Sequence, residues 1–412
     1  MSKPPRTDRL KVVTPQGQSG LLASVTDSYV FAYLAEAAKS AEISLLMPLR
    51  IEQYSARELH PIFQMNLPEG YVLESLRNRF AKVAVVDPML LLALTGSETP
   101  IGRVRVEAPA QLLENLGVTP QDHRGERLDE ILAWDGAENL FNALARRYLF
   151  RTGVSGVQPK LLVPETPPAG KTSLSTTDLI VKSGGADFPG LAVNEYVCMS
   201  AAREAGIPVP EFFLSDNRQL FVMRRFDRTD AGEPLGFEEM VVLMGKGAAQ
   251  KYDGSYESVA RFMALYCSPQ RKHAALAQLF DQVALSCIIG NGDAHLKNFG
   301  VIYSDPTSED VRMSPAYDMV NTTAYIADDS LALTLGGSKS LFASRLHLLE
   351  FGQRCGIDAP RDRIGELLDA VEYVLDKHRA LLDTEPQVQQ GLRAAFDGFA
   401  GRFDRGQRPT PR

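Results

Sequence analysis

Residues 290–300 read GNGDAHLKNFG, which places Asp293, His295, Lys297 and Asn298 within six positions and glycines on both sides. The stretch before them, KHAALAQLFDQVALSCIIG (272–290), repeats apolar residues at three- and four-residue spacing. Leu276, Leu279, Phe280, Val283, Cys287 and Ile288 share one helical face. The polar cluster therefore leaves the end of a core helix. Three readings fit it: a solvated turn capping that helix, a metal site, or the reacting centre of a phosphotransferase. Phosphoryl transfer needs a carboxylate to orient the attacking hydroxyl and an amide oxygen to hold magnesium, and the kinase catalytic loop supplies them as Asp and, five residues on, Asn. Asp293 and Asn298 have this spacing, with Lys297 between them to offset charge on the transferred group. D-x-x-x-x-N alone is a common accident, so other segments must decide.

A second carboxylate for magnesium should come from a separate segment. RMSPAYDMVNT (312–322) offers Asp318; its plain alternative is a strand-end Asp bonded to nearby backbone. DLIVKSGG (178–185) puts Lys182 at the end of a β-branched run, where a lysine can meet nucleotide phosphates. Glu195 in LAVNEYVCM (191–199) sits on the following helix and could steady it. Both could equally be solvated. VSGVQPK (154–160) joins small residues to a hydroxyl: Ser155, Gly156, Val157 and Gln158 form a turn whose N–H groups can approach phosphate. It lacks the GxxxxGK[ST] spacing. LFVMRRFDR (220–228) reads either as a segment whose backbone, around Arg224, Arg225, Phe226 and Asp227, bonds an adenine edge, or as an amphipathic strand with a basic end. Lys251 and Tyr252 in QKYDGSYE, and a GFEEMVVLMG helix, have no derivable chemistry.

The chain has 412 residues, enough for two or three structural units. Residues 1–125 mix strand-like runs (LKVV, KVAVV) with a helical SVTDSYVFAYLAEA and read as a small α+β unit. Residues 126–230 are rich in strands with one helix near Leu191–Ala205, and residues 231–412 are mostly helical. A sheet lobe followed by a helix lobe is the order of a two-lobed, protein-kinase-like α+β fold. Hydrophobic residues make up 44% and charged residues 23%, which excludes a disordered or membrane-embedded chain. The net charge of −7 argues against broad wrapping of nucleic acid. Four scattered cysteines form no zinc spacing. MSKPPRTDRLKVV lacks a signal-peptide core, and MLLLAL (89–94) is too short to span a bilayer, so the expected location is cytoplasmic, with no membrane partner.

Taken together and in order, VSGVQPK, the NEY of Asn194–Tyr196, RRFDR, GNGDAHLKNFG and SPAYDMVNT resemble the HipA family of toxin serine/threonine kinases over nearly the whole chain. The resemblance implies a small N-terminal subdomain, a sheet-rich nucleotide lobe and a helical lobe. It implies ATP and Mg2+ as cofactors. Asp293 would be the catalytic base, with His295 and Lys297 in the same loop. Asn298 and Asp318 would be magnesium ligands, and Lys182 the phosphate lysine. Arg224–Phe226 would line adenine with Asp227 close by, and VSGVQPK would be the mobile phosphate-binding loop that carries an autophosphorylated serine. Here Gly153 stands where some members have serine, which makes Ser155 the main acceptor candidate and Thr152 a weaker one. A phosphoserine would repel ATP phosphates and switch the kinase off. The implied partners are a small helix-turn-helix antitoxin, with DNA bound only through it, and a protein substrate such as an aminoacyl-tRNA synthetase, whose modification arrests translation. A small-molecule kinase, a nucleotide-binding regulator that holds a DNA-bound repressor, and, more distantly, a metal-dependent hydrolase using Asp293 and His295 are the rivals.

Overall fold

In the N-terminal hundred residues, β-branched and aromatic runs separated by tight turns give an antiparallel sheet of five strands. These are β1 (Arg9–Thr14), β2 (Gly17–Val25), β3 (Ser28–Tyr33), β4 (Tyr54–Ala56) and β5 (Arg105–Glu107), in the order β4-β3-β2-β1-β5. This computed structural model describes residues 7–98, 100–118, 125–136, 139–151, 158–166, 178–185, 187–401 and 403. SVTDSYVFAYLAEA, expected to be helical, is instead the second half of a hairpin. Val25 pairs with Ser28 across Thr26–Asp27, and Thr26 takes the positive φ (48°) of a tight turn. Its apolar residues fit three- and four-residue spacing, but they are β-formers, and only Phe31 of β3 is fully buried. Gly20 in β2 has no room for a side chain, since a Cβ there would lie 2.3 Å from the Ala32 carbonyl oxygen and 2.7 Å from the Phe31 ring.

KVAVV (82–86) corrects the expectation in the other direction. It forms no strand, and Val83 and Val85 are exposed, because Val83 and Ala84 bond back to Phe80 O at the end of the helix Gly70–Phe80. The MLLLAL run is a buried helix, Pro88–Thr95, started by Pro88 and capped by Asp87, whose Oδ1 accepts from Leu90 N at 2.8 Å. It packs on β1 and β5. GFEEMVVLMG is likewise not one helix: Gly236–Glu239 is a strand and Met240–Leu243 a single helical turn.

Two compact units emerge. The first contains residues 1–183, 215–248 and 302–311; the second contains 184–214, 249–301 and 312–412. The expected boundary near residue 125 falls inside the first. That unit also holds β6 (Lys160–Pro164), β7 (Asp178–Ser183) and the strand Leu220–Arg224, paired antiparallel in that order, with Lys160 opposite Lys182 and Lys182 opposite Phe221. The second unit is built around the helix Lys272–Ile289. It touches the helices Leu191–Glu204, Tyr256–Tyr266, Leu341–Arg354, Pro360–Lys377 and Pro386–Ala400. Among the described residues no helix is long and apolar enough to cross a membrane.

Candidate phosphotransfer site

From Gln282 to Ile289 the central helix is buried on every side, so the loop that follows starts from a fixed point. Gly290 ends the helix in the left-handed region (φ 68°), and Asn291 N bonds back to Ser286 O at 2.8 Å. A Cβ at Gly290 would meet Thr323 Oγ1 at 2.7 Å and Ala395 Cβ at 2.9 Å, so glycine is required for space as well as for torsion. Between 290 and 300 every residue is buried except Gly292 and Asp293. This excludes the solvated-turn reading, because a merely solvated turn would not hide His295, Lys297 and Asn298, which are 7%, 6% and 8% exposed.

Asp293 is the outlier in this loop, with a side chain 45% exposed. Its backbone N–H donates to Asn291 Oδ1 (3.0 Å), and its carboxylate Oδ1 accepts from the phenol of Tyr252 (2.7 Å). His295 Nε2 lies 3.9 Å from the same oxygen. Burial pushes the His295 imidazole down to about 3, with the Lys251 and Lys297 charges adding to the effect and Asp318 opposing it. The ring is therefore neutral at physiological pH, and its approach to Asp293 is not an ion pair. Tyr317 donates to Lys297 O and so fixes the loop's far side.

Asn298 Oδ1 is buried without a hydrogen-bond partner. An orphaned acceptor costs roughly 1–3 kcal/mol, so this oxygen calls for a donor or a cation. An amide oxygen is a hard ligand, and magnesium keeps several waters while taking only one or two protein groups. The Asn298 oxygen is therefore of a kind that magnesium accepts. No group of three or more His, Cys, Asp or Glu side chains able to hold a metal comes together among the described residues.

Three of the motifs meet in one polar hub. Asn194, at 0% exposure on the helix Leu191–Glu204, donates to Asn321 O (2.8 Å) and accepts from Asn321 N (2.8 Å). Asn321 Nδ2 donates in turn to Ile289 O, the end of the central helix, and to Thr323 Oγ1. Thr322 Oγ1 accepts from Gly292 N (2.7 Å) and donates to Gly290 O (3.1 Å), which ties the segment after Asp318 to the loop that carries Asp293. Glu195 is 1% exposed beside this hub, and Tyr196 packs edge-on against Phe212 and His378. Asn194→Ala would orphan both backbone groups of Asn321. It should destabilise the second unit by roughly 2–3 kcal/mol in denaturant unfolding; a loss under about 0.5 kcal/mol would remove the hub from this account.

The first unit holds the remaining candidates. Lys182 is 2% exposed, with Nζ 5.6 Å from the centre of the Phe221 ring. Gln158 is half-buried, just before the Pro159 carbonyl that accepts from Ser183 N (3.0 Å). Arg224 forms a fork with Glu165 (2.5 and 3.1 Å). The Arg225 and Asp227 side chains are engaged with each other, with Asp178 and with the backbone at Pro100 and Gly102. Phe226 packs on Phe237. Thr152, Gly153, Ser155, Gly156 and Val157 lie outside the described residues.

Sequence reasoning found no role for Tyr252, Asn321 or Asp178. Their partners lie 41, 127 and 47 positions away, and no local pattern announces them.

The α+β fold and the buried loop define a kinase-like protein, and comparison with known families makes this specific. The HipA N-terminal domain family matches residues 10–107 and the HipA-like C-terminal domain family matches residues 152–377. Two proteins of Sinorhizobium fredii that carry provisional kinase names are similar. Y4dM is 29% identical over 74% of this chain and 74% of its own length, and Y4mE is 28% identical over 87% and 88%. HipA of Shewanella oneidensis, solved with HipB and its operator DNA, shares the fold: TM-score 0.66 at 18% identity, covering 96% of this chain and 98% of that one. The chain belongs to the HipA family and is a HipA-like kinase.

Proposed function

We propose that the chain is a serine/threonine protein kinase that moves the γ-phosphoryl group of Mg-ATP to a protein hydroxyl. The observation that carries this reading is the lone exposed carboxylate of an otherwise buried loop, Asp293, two residues from the neutral His295 imidazole, four from Lys297 and five from the orphaned Asn298 oxygen. Asp293 orients the acceptor hydroxyl and takes its proton. Asn298 and Asp318 are the residues that would hold magnesium, which when bound neutralises charge on the phosphate oxygens. Lys297 offsets charge at the loop. By the family's motifs, Lys182 meets the nucleotide phosphates with Glu195 as its supporting carboxylate, Ser155–Gln158 belong to the phosphate-binding loop, and the backbone of Arg224–Phe226 lines adenine next to Asp227. Ser155 is the proposed autophosphorylation site, and an aminoacyl-tRNA synthetase the proposed kind of target. The Shewanella protein was solved with HipB and DNA; by analogy a small helix-turn-helix antitoxin is the proposed partner here, with DNA contacted through it.

The test is transfer from labelled ATP with magnesium, to the chain alone and to a cell extract, with mass spectrometry of labelled proteins. Label on serine or threonine of one extract protein supports the reading. ATP binding with no label on any protein would sink it and leave the regulator alternative. Asn298→Ala should raise the magnesium concentration for half-maximal transfer by about tenfold or more. An unchanged magnesium dependence would take Asn298 out of the ligand set.

A further inference from the structure

The segment Gln250–Gly254 lies outside the five motifs that carry the family resemblance, yet it is clamped to the loop that carries Asp293. Leu296 N donates to Lys251 O (3.0 Å), and Tyr256, fully buried at the start of the next helix, donates its hydroxyl to Ala294 O (3.1 Å). Between these two anchors stands Tyr252. Its ring meets the His295 ring edge-on, with centroids 5.2 Å apart at 73°, and its phenol oxygen lies 2.7 Å from Asp293 Oδ1. The ring contact fixes the phenol, and the phenol fixes the rotation of the carboxylate.

We propose that Tyr252 is a positioning residue of the phosphotransfer site, the group that holds the Asp293 carboxylate in the orientation from which it meets the acceptor hydroxyl. This rests on the reading of Asp293 as the base. A base held by a third group recurs wherever a proton must be taken at a defined angle, and small misplacements of such a group are costly in rate. Asp293 benefits from such a group, because its side chain is the exposed one in the loop, and the bonds of its backbone to Asn291 Oδ1 and His295 N place its main chain but do not set the rotation of its carboxylate. Tyr252 and His295 face the Asp293 carboxylate, and Lys251, Lys297 and Asp318 act on the neighbouring His295. Of these, Tyr252 donates a hydrogen bond to the carboxylate at short range, and it favours the ionised form.

Tyr252→Phe keeps the ring on His295 and removes only the hydroxyl. Transfer from labelled Mg-ATP into dephosphorylated casein and into the chain itself, measured across pH, should show kcat lowered by about tenfold with KM for ATP unchanged. The acid limb of kcat/KM should move to higher pH, because the carboxylate loses a donor to its ionised form. Wild-type kcat and an unmoved acid limb, in a protein whose Asp293→Asn variant is inactive, would overturn the role of Tyr252 and leave Asp293 as base. Full activity in Asp293→Asn would overturn both. An activity-independent readout separates the two. In the whole chain labelled with 13C at aspartate carboxyls, the Asp293 signal, assigned by its loss in Asp293→Asn, should titrate at higher pH in Tyr252→Phe than in wild type, and superimposable curves would overturn the contact.

Discussion

Asp293→Asn should lower phosphoryl transfer by about 10²–10⁴-fold, the range that a positioned general base supplies, while the protein stays folded and binds ATP as before. The two halves of this expectation have separate physical grounds. Asparagine has the shape of aspartate, its backbone N–H still reaches Asn291 Oδ1, and its amide oxygen still accepts from Tyr252. Because the side chain is 45% exposed, no buried charge is stranded by the change. The amide cannot take up a proton, however, and the imidazole beside it is a poor substitute. His295 is pushed down to about 3 by burial and by the nearby lysines, so it has little drive to accept a proton from a hydroxyl. Unfolding midpoints and labelled-ATP turnover measured on the same preparation decide the matter. Turnover within a few-fold of wild type would take Asp293 out of the reaction.

The loop was legible because kinase chemistry fixes a short spacing, and Asp293 and Asn298 carry it within one segment. Lys182 was legible for a similar reason: a lysine ending a run of β-branched residues falls on a strand, and it does so on β7. What the sequence hid is of another kind. Asn194 and Asn321 appear as letters in two motifs, but their reciprocal hydrogen bonds exist only after the chain closes over 127 positions. Tyr252 carried no derivable chemistry because nothing near it in sequence needs a phenol. SVTDSYVFAYLAEA was misread because the same apolar letters satisfy a helical period and a strand pair, and the choice was made by β2 and by the turn at Thr26. KVAVV has strand propensity and no partner, so it stays a turn.

Arg225→Met, in RRFDR, is the variant with the largest expected cost in stability, about 3–5 kcal/mol. Its guanidinium, 0% exposed, forms a fork to Asp227 (2.8 and 2.6 Å), reaches Asp178 (3.1 Å) at the start of β7, and donates to Pro100 O (2.6 Å). Asp227 also accepts from Gly102 N (2.6 Å) and pairs with Arg228 (3.0 Å). Burial alone would raise the Asp227 carboxyl, but the Arg225 and Arg228 charges and these hydrogen bonds prevail and hold it at about 2. A folded pKa below the unfolded one means that Asp227 contributes stability above the unfolded carboxylate range, and that this contribution is lost as pH falls through about 2. Methionine fills the stem of Arg225 but leaves two interior carboxylates, with Arg228 beside Asp227 and Arg151 3.6 Å from Asp178. Without Arg225, burial raises the Asp227 carboxyl against Arg228 and the Gly102 N–H alone, so the deficit of Arg225→Met should be largest near neutral pH and shrink as pH falls. Adding Asp178→Asn and Asp227→Asn should recover part of the loss, because most of it is stranded charge rather than lost contact. Trp134, the single tryptophan, lies in the same unit, where its carbonyl oxygen accepts from Asn217 Nδ2, so its fluorescence in denaturant reports this transition. A pH-independent deficit, or no recovery in the triple variant, would mean that Arg225 serves the first unit by packing and not by charge.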